Sequence, residues 1–201
     1  FSPLDYDRER EKAAKDLGVR ASTLETMVKK LRKEADNTGG IDFGEVEAWS
    51  EPVQFNELLG NISETIRRFI VCDKQTADAA ALWVVMTWLI DVVQVAPLAV
   101  ITAPEKRCGK SQMLNVLGKM VCRPLQASNI SSAALYRVVE AHQPTLMIDE
   151  TDAFLKDNED MRGIINSGHT RDSAYVIRTV GDDHTPTRFS TWGAKALSGI
   201  G

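Results

Sequence analysis

Apolar residues recur at helical spacing through the first half of this chain, and β-branched runs take over after residue 97. Leu58, Leu59, Ile62, Ile66, Phe69 and Ile70 predict an amphipathic helix over 55–71. Residues 76–95 contain AAALWVVMTWLI, apolar nearly all round, and predict a buried helix that ends before Pro97. Leu98 to Thr102 then reads as a strand, 112–121 as a helix and Pro124 to Ala127 as a short strand. A helix opened by two serines follows over 131–142. Pro144 to Ile148 is an apolar strand running into Asp149-Glu150. A helix is predicted over 158–167. Ala174 to Val180 and Thr187 to Trp192 alternate as strands around a turn at 181–186, the signal of a β-hairpin.

The N-terminal part follows a different pattern. Residues 5–17 are highly charged and stop at Gly18, where a left-handed helix end is wanted. Ser22-Thr23-Leu24-Glu25 is a capping-box sequence that would start a second helix at Ser22. Leu24, Met27, Val28, Leu31 and Ala35 mark its apolar face, leaving Lys29, Lys30, Arg32 and Lys33 to the others. Residues 1–35 therefore predict a helical hairpin, compatible with helix-turn-helix geometry or with a packing element. Residues 36–53, rich in glycine and acid, read as a linker, and 54–97 as a helical preface to a core over 98–201.

Composition narrows this picture slightly. The 201 residues are 43% hydrophobic and 26% charged with a formal net charge of −4, which is ordinary for a globular protein. Charge is uneven: residues 1–35 carry nine Lys and Arg against seven Asp and Glu, a net of +2, whereas the remainder is at −6. A basic second helix suits a nucleic-acid backbone. Cys72, Cys108 and Cys122 have neither metal spacing nor a disulfide framework, which suggests a reducing, cytoplasmic setting. The longest apolar run is too short to cross a bilayer, so no membrane partner is expected. The chain opens on Phe1 and stops on Gly201, as a piece of a longer polypeptide would, with its core truncated at the C-terminus.

The candidate chemistry lies in LAVITAPEKRCGKSQ, residues 98–112. A strand, a polar loop closing in Gly109-Lys110-Ser111 and a helix are the grammar of a phosphate-cradling loop. Backbone N–H groups and the helix dipole hold phosphates, a lysine reaches the β/γ oxygens, and a hydroxyl ligates Mg²⁺. Pro104 stands where the usual pattern has its first glycine. The loop residues Pro104, Glu105, Lys106, Arg107, Cys108, Gly109, Lys110, Ser111 and Gln112 form the candidate nucleotide-binding set. Asp149-Glu150 comes 39 residues after Lys110, leaving room for helix, strand and helix between. The Asp would hold the Mg²⁺ shell with Ser111, and the Glu would polarise the attacking water. Both motifs end predicted strands, the edge where open α/β sheets bind ligands. Ser190 and Thr191, about 40 residues after Glu150, are candidates for a γ-phosphate sensor between loop and acidic strand.

With APEKRCGKS, PTLMIDETDAF, INSGHTRD and RTVGDDHTPTRFSTWGAKALSGIG laid out, residues 50–201 resemble a P-loop ATPase domain found on phages, plasmids and integrated elements, beside or fused to zinc-finger and TOPRIM primase modules. Its loop commonly reads S/A-P-E-K-x-x-G-K-S/T, so Pro104 fits it. The resemblance implies an α/β fold, a P-loop NTPase core of the AAA+ or superfamily-III-helicase type, with a parallel sheet and flanking helices. It implies ATP and Mg²⁺ as cofactors, Lys110 and Glu150 as catalytic residues, and a ring of identical subunits. A primase module in the same or a neighbouring polypeptide and single-stranded DNA are the further partners implied. The hairpin would grip DNA through His184, Arg178 and Arg188, and Arg171 or Arg162 would serve as an arginine finger. Members of the family usually continue into a segment with a further arginine.

The function expected is an ATP-driven helicase or translocase motor in mobile-element replication, in the cytoplasm of a bacterial or phage-infected cell. A nucleotide-dependent initiator or loader is the alternative. A small-molecule P-loop kinase is a third, against which Glu150 after the strand Asp argues.

Overall fold

Thr145–Ile148 is buried at every position, and a strand buried on both faces needs helices above and below it. That requirement organises the rest. The computed structural model describes residues 13–28, 41, 43–44, 46–103, 105, 108–127, 130–151, 158–180 and 184–200. They fall into two units, 1–46 and 47–201.

In the first unit, residues 13–16 and 21–28 are helical. Gly18 has φ +67°, the Val19 N–H reaches Ala14 O at 2.9 Å and the Gly18 N–H reaches Lys15 O at 3.2 Å. Those two bonds are the left-handed helix stop predicted at Gly18. Helix two starts two residues earlier than its capping box implies: the Leu24 N–H bonds Arg20 O, so Arg20 is the N-cap and Ser22 already lies inside the helix. Lys29, Lys30, Arg32 and Lys33 lie outside the described residues, as does most of the 36–53 linker before residue 46.

The second unit opens with α1 (Phe55–Phe69) and α2 (Lys74–Trp88), capped by the Asp73 carboxylate on the Thr76 N–H at 2.6 Å. Strand β1 (Ala99–Ala103) leads to α3 (Lys110–Gly118), β2 (Pro124–Gln126), α4 (Ser132–His142) and β3 (Thr145–Ile148). Next come α5 (Glu159–Ser167), a single 3₁₀ turn at Arg171–Ser173, the hairpin β4 (Tyr175–Val180) and β5 (Thr185–Ser190), and finally β6 (Lys195–Ile200).

Four strands form one parallel sheet in the order β1-β6-β3-β2. Alternation along the strands splits the core between its two faces. Met147 and Ala196 face α1, α2 and α3, where Ile66, Val84, Leu114 and Leu117 are fully buried. Leu146 and Ile148 face α4 and α5, with Leu135, Val139, Ile164 and Ile165. The hairpin packs Val176 and Phe189 onto this second cluster.

Two expectations need correcting. The second preface helix ends at Trp88 rather than near residue 95, and it is not buried all round: Leu82 and Trp88 are about half exposed. Residues 94–96 are extended and pair with 169–171 through the Val95–Thr170 bridge and the Ala96-to-His169 and Arg171-to-Gln94 bonds. The second strand of the hairpin also begins earlier, at Thr185, which brings Pro186 into β5 opposite Thr179. Proline is tolerated there because β5 is hydrogen-bonded to β4 alone in its two-stranded sheet, an edge position.

Candidate functional site

A parallel sheet puts the carboxyl ends of all its strands at one edge, so the loop after β1 and the turn after β3 must open on the same side. Between them lies β6, paired with both: Ile101 stands opposite Ser198, and Ile148 opposite Leu197.

Gly109 turns the chain into α3. Its φ of +83° is left-handed, a conformation glycine adopts without the clash a Cβ would bring, and its carbonyl accepts from the Met113 N–H at 2.8 Å. Lys110 and Ser111 are thereby the first residues of a helix, where backbone N–H groups have no intrahelical acceptors. The Lys110 ammonium folds back onto the loop and donates to Glu105 O at 2.9 Å. Gln112 points the other way and ties α3 to the end of α1, donating to Phe69 O at 3.1 Å. Cys108 is exposed in the same turn, while Pro104, Lys106 and Arg107 lie outside the described residues.

Asp149 follows the last residue of β3, and the hydroxyls of Ser111 and Ser198 lie near enough to its carboxylate to lower its pKa. Burial pushes its pKa up. The two hydroxyls, the Glu150 N–H at 2.9 Å and the nearby Lys110 charge outweigh that and hold the carboxyl below its usual value. Asp149 is therefore ionised at neutral pH. Glu150 is exposed and has φ +49°, a left-handed conformation that a non-glycine residue holds only when its surroundings impose it. Those surroundings are visible: its N–H is held by Asp149, and the next residue, Thr151, donates its hydroxyl to Ser198 O at 2.9 Å.

Ser111 and Asp149 offer oxygen ligands only, one of them ionised, which suits Mg²⁺. Among the described residues no group of three or more His, Cys, Asp or Glu could hold a metal. An ion that keeps its waters and takes phosphate oxygens does not need one. Beside the same turn is a largely apolar cavity of about 790 Å³, walled by α2, β1 and residues 108–110, and lined by Trp83, Met86, Ile101 and Met113. Its size falls in the range of small-molecule sites.

The other residues singled out by sequence are placed elsewhere. Ser190 closes β5, and its N–H is taken by the Glu140 carboxylate; Thr191 is buried, with its hydroxyl 3.0 Å from that of Ser167. Neither lies in the parallel sheet. The strand between β1 and β3 is β6, so the hydroxyl between loop and acidic strand is that of Ser198, which sequence reasoning missed. Arg162 is exposed on α5. Arg171 donates to Asp91 O at 2.6 Å and lies over Trp192, with its guanidinium carbon 5.4 Å from the ring centre. Arg178 pairs with Asp160 at 3.2 Å, Arg188 lies 3.8 Å over the Tyr175 ring, and His184 is exposed at the hairpin turn with φ +50°.

No helix among the described residues is long and apolar enough to cross a membrane, and none of the three cysteines is in a disulfide. No protein-family model matches the chain, and no curated protein matches it.

Proposed function

We propose that the chain is an ATP-hydrolysing motor domain, of P-loop type, from a primase-associated DNA helicase or translocase of a mobile element. The observation that carries this reading is the meeting of Ser111 and Asp149 across β6. A hydroxyl at the start of a helix and an ionised carboxylate at the end of a neighbouring strand are what a Mg·nucleotide site requires.

The chain's own groups then take definite roles. The N–H groups opening α3 receive phosphate oxygens. Lys110 exchanges its bond to Glu105 O for the β/γ oxygens, and the apolar cavity beside Gly109 receives the base. Ser111 and Asp149 would hold Mg²⁺, which would supply neutralisation of charge on the phosphates. Glu150, exposed at the same edge, orients the attacking water and accepts its proton. An arginine from a neighbouring copy, Arg171 or Arg162 in this chain, completes charge neutralisation. Single-stranded DNA is gripped along the hairpin that carries Arg178, His184 and Arg188.

Mg·ATP turnover measured with and without single-stranded DNA tests this. Stimulation by DNA that Glu150→Gln abolishes, with ATP still bound, is the expected result. Turnover indifferent to DNA would move the reading to a loader or initiator, and Lys110→Ala protein that binds Mg·ATP normally would overturn the site.

A further inference from the structure

A second concave site lies on the opposite side of the hairpin's packing core, where the end of α4, the 3₁₀ turn and the hairpin converge. This pocket, of about 290 Å³, is lined by Glu140, Gln143, Arg171, Tyr175, Arg188 and Trp192, among others. Two guanidinium groups reach one small cavity, and each lies over an aromatic ring, Arg171 over Trp192 and Arg188 over Tyr175. Over the Tyr175 ring the Arg188 guanidinium keeps its N–H groups for a planar or tetrahedral anion, and Arg171 offers those it does not give to Asp91 O. Neither arginine has a carboxylate ion-pair partner among the described residues. The Glu140 carboxylate is turned to the Ser190 N–H. Gln143 closes α4 with φ +46°, a left-handed cap usually left to glycine, and its side chain is retained at the pocket wall. The buried indole N–H of Trp192 has no acceptor among the described residues.

We propose that this pocket holds one phosphodiester of a single-stranded nucleic acid. Two arginines against one glutamate leave a net charge of +1, which matches the single charge of a phosphodiester and not the double charge of a terminal phosphate. The surface leading into the pocket fits a strand. Tyr175, Ile177 and Thr179 alternate on one face of β4, Arg188 stands directly opposite Ile177, and all four are exposed. An aromatic ring, an aliphatic side chain and a guanidinium on an open two-stranded face are a surface for unstacked bases. The contact sits at the base of the hairpin and uses Arg171 of the preceding turn. It rests on the nucleic-acid partner proposed above and not on the nucleotide site, and it gives Arg171 to the strand, leaving Arg162 as the arginine offered to a neighbouring copy.

The test is fluorescence anisotropy with a labelled oligothymidylate, without nucleotide, so that absence of ATP turnover leaves it readable. Arg188→Ala and Arg171→Ala are each expected to weaken binding about tenfold and to lower the slope of log affinity on log salt by about 0.7. Arg188→Lys keeps the charge but loses the fork and stack, and should recover the salt slope with only part of the affinity. Glu140→Gln is expected to tighten binding, an outcome that a merely structural role for Glu140 does not produce. Unchanged affinity and slope in both alanine variants, both melting like the parent, would overturn the proposal. So would displacement of the oligomer by thymidine monophosphate or by polyglutamate at matching concentration, which would make the pocket a mononucleotide or carboxylate site.

Discussion

The Ser111 hydroxyl, 38 positions from Asp149 in the chain, lies close enough to the Asp149 carboxylate at the carboxyl edge of the parallel sheet to lower its pKa. Ser198, from the strand between theirs, joins the same carboxylate. Both hydroxyls favour the ionised acid, and their effect is measurable. A carboxyl held below its usual value contributes stability that is present above the unfolded pKa and is lost as pH falls through the folded one. Stability should therefore decline as pH drops below about 3.8, the ordinary aspartate value. Ser111→Ala and Ser198→Ala should each raise the Asp149 pKa, read by NMR titration, and Asp149→Asn should remove this part of the acid limb. A titration unmoved by either serine would separate the three groups.

Among the described residues Lys110 makes one hydrogen bond, to a backbone carbonyl, so its loss should cost the fold little. Lys110→Ala is expected to melt within a few degrees of the parent. The parent should be stabilised by about 2.7 kcal/mol in Mg·ATP at a hundredfold excess over Kd, and the variant should show almost none of this. Thermal unfolding with and without Mg·ATP reads both effects.

Glu150 occupies a left-handed conformation without being glycine. Glu150→Gly should relieve roughly 1 kcal/mol of backbone strain while removing the carboxylate. Denaturant unfolding should show a protein as stable as the parent or more so, and a turnover assay should show an inactive one. That split is the signature of a strained functional position. A loss of stability would indicate instead that the side chain contributes to the fold.

Lys195 is almost fully buried, and its amine donates to the carbonyls of Gly168, Thr191 and Gly193, each at 3.0 Å. Burial pushes its pKa down to about 7, although three acceptors match the three N–H bonds of the charged form. Between that value and the 10.5 of a free lysine, the unfolded chain holds a proton that the native chain lacks. Stability should then rise with pH across this window. Lys195→Met should abolish the rise and, by orphaning three buried carbonyls, cost about 3 kcal/mol. Melting at pH values inside the window, parent against variant, decides it.

Gly168 is the counterpart of that lysine. A Cβ there would fall on Lys195 Nζ and Thr191 O, neither of which is free to move. Gly168→Ala should destabilise by about 3 kcal/mol, whereas Gly163→Ala on the preceding helix, with open space around it, should be neutral or stabilising. Urea midpoints of the two variants give the comparison.

Much of the fold was legible because its signals are local. The periodicity of 55–71, the apolar run before Asp149, the serines at 131–132 and the glycine before Lys110 each depend on a few neighbouring residues. The structure keeps them as α1, β3, the Ser131 cap of α4 and the left-handed entry to α3. Ends of elements were read less well. Leu82 and Trp88 look like core by composition, but a helix that packs on one face leaves its other side open however apolar it is.

Strand β6 was not legible at all. Lys195-Ala196-Leu197-Ser198-Gly199-Ile200 has almost no β-branched residues, contains a glycine and begins with a charge, so neither propensity nor alternation marks it as a strand. It is a strand because β1 and β3 supply hydrogen-bond partners on both edges and helices cover both faces. Its lysine is tolerated because three carbonyls surround the amine. By itself the sequence determined the elements whose stability is local, and it put Lys110, Ser111, Asp149 and Glu150 at their ends. Only tertiary structure decided which strand lies between the two motifs, and hence that Ser198 lies beside the Asp149 carboxylate while Ser190 and Thr191 lie outside the parallel sheet. Strand order is set by long-range pairing and two-sided burial, which no stretch of a few residues encodes.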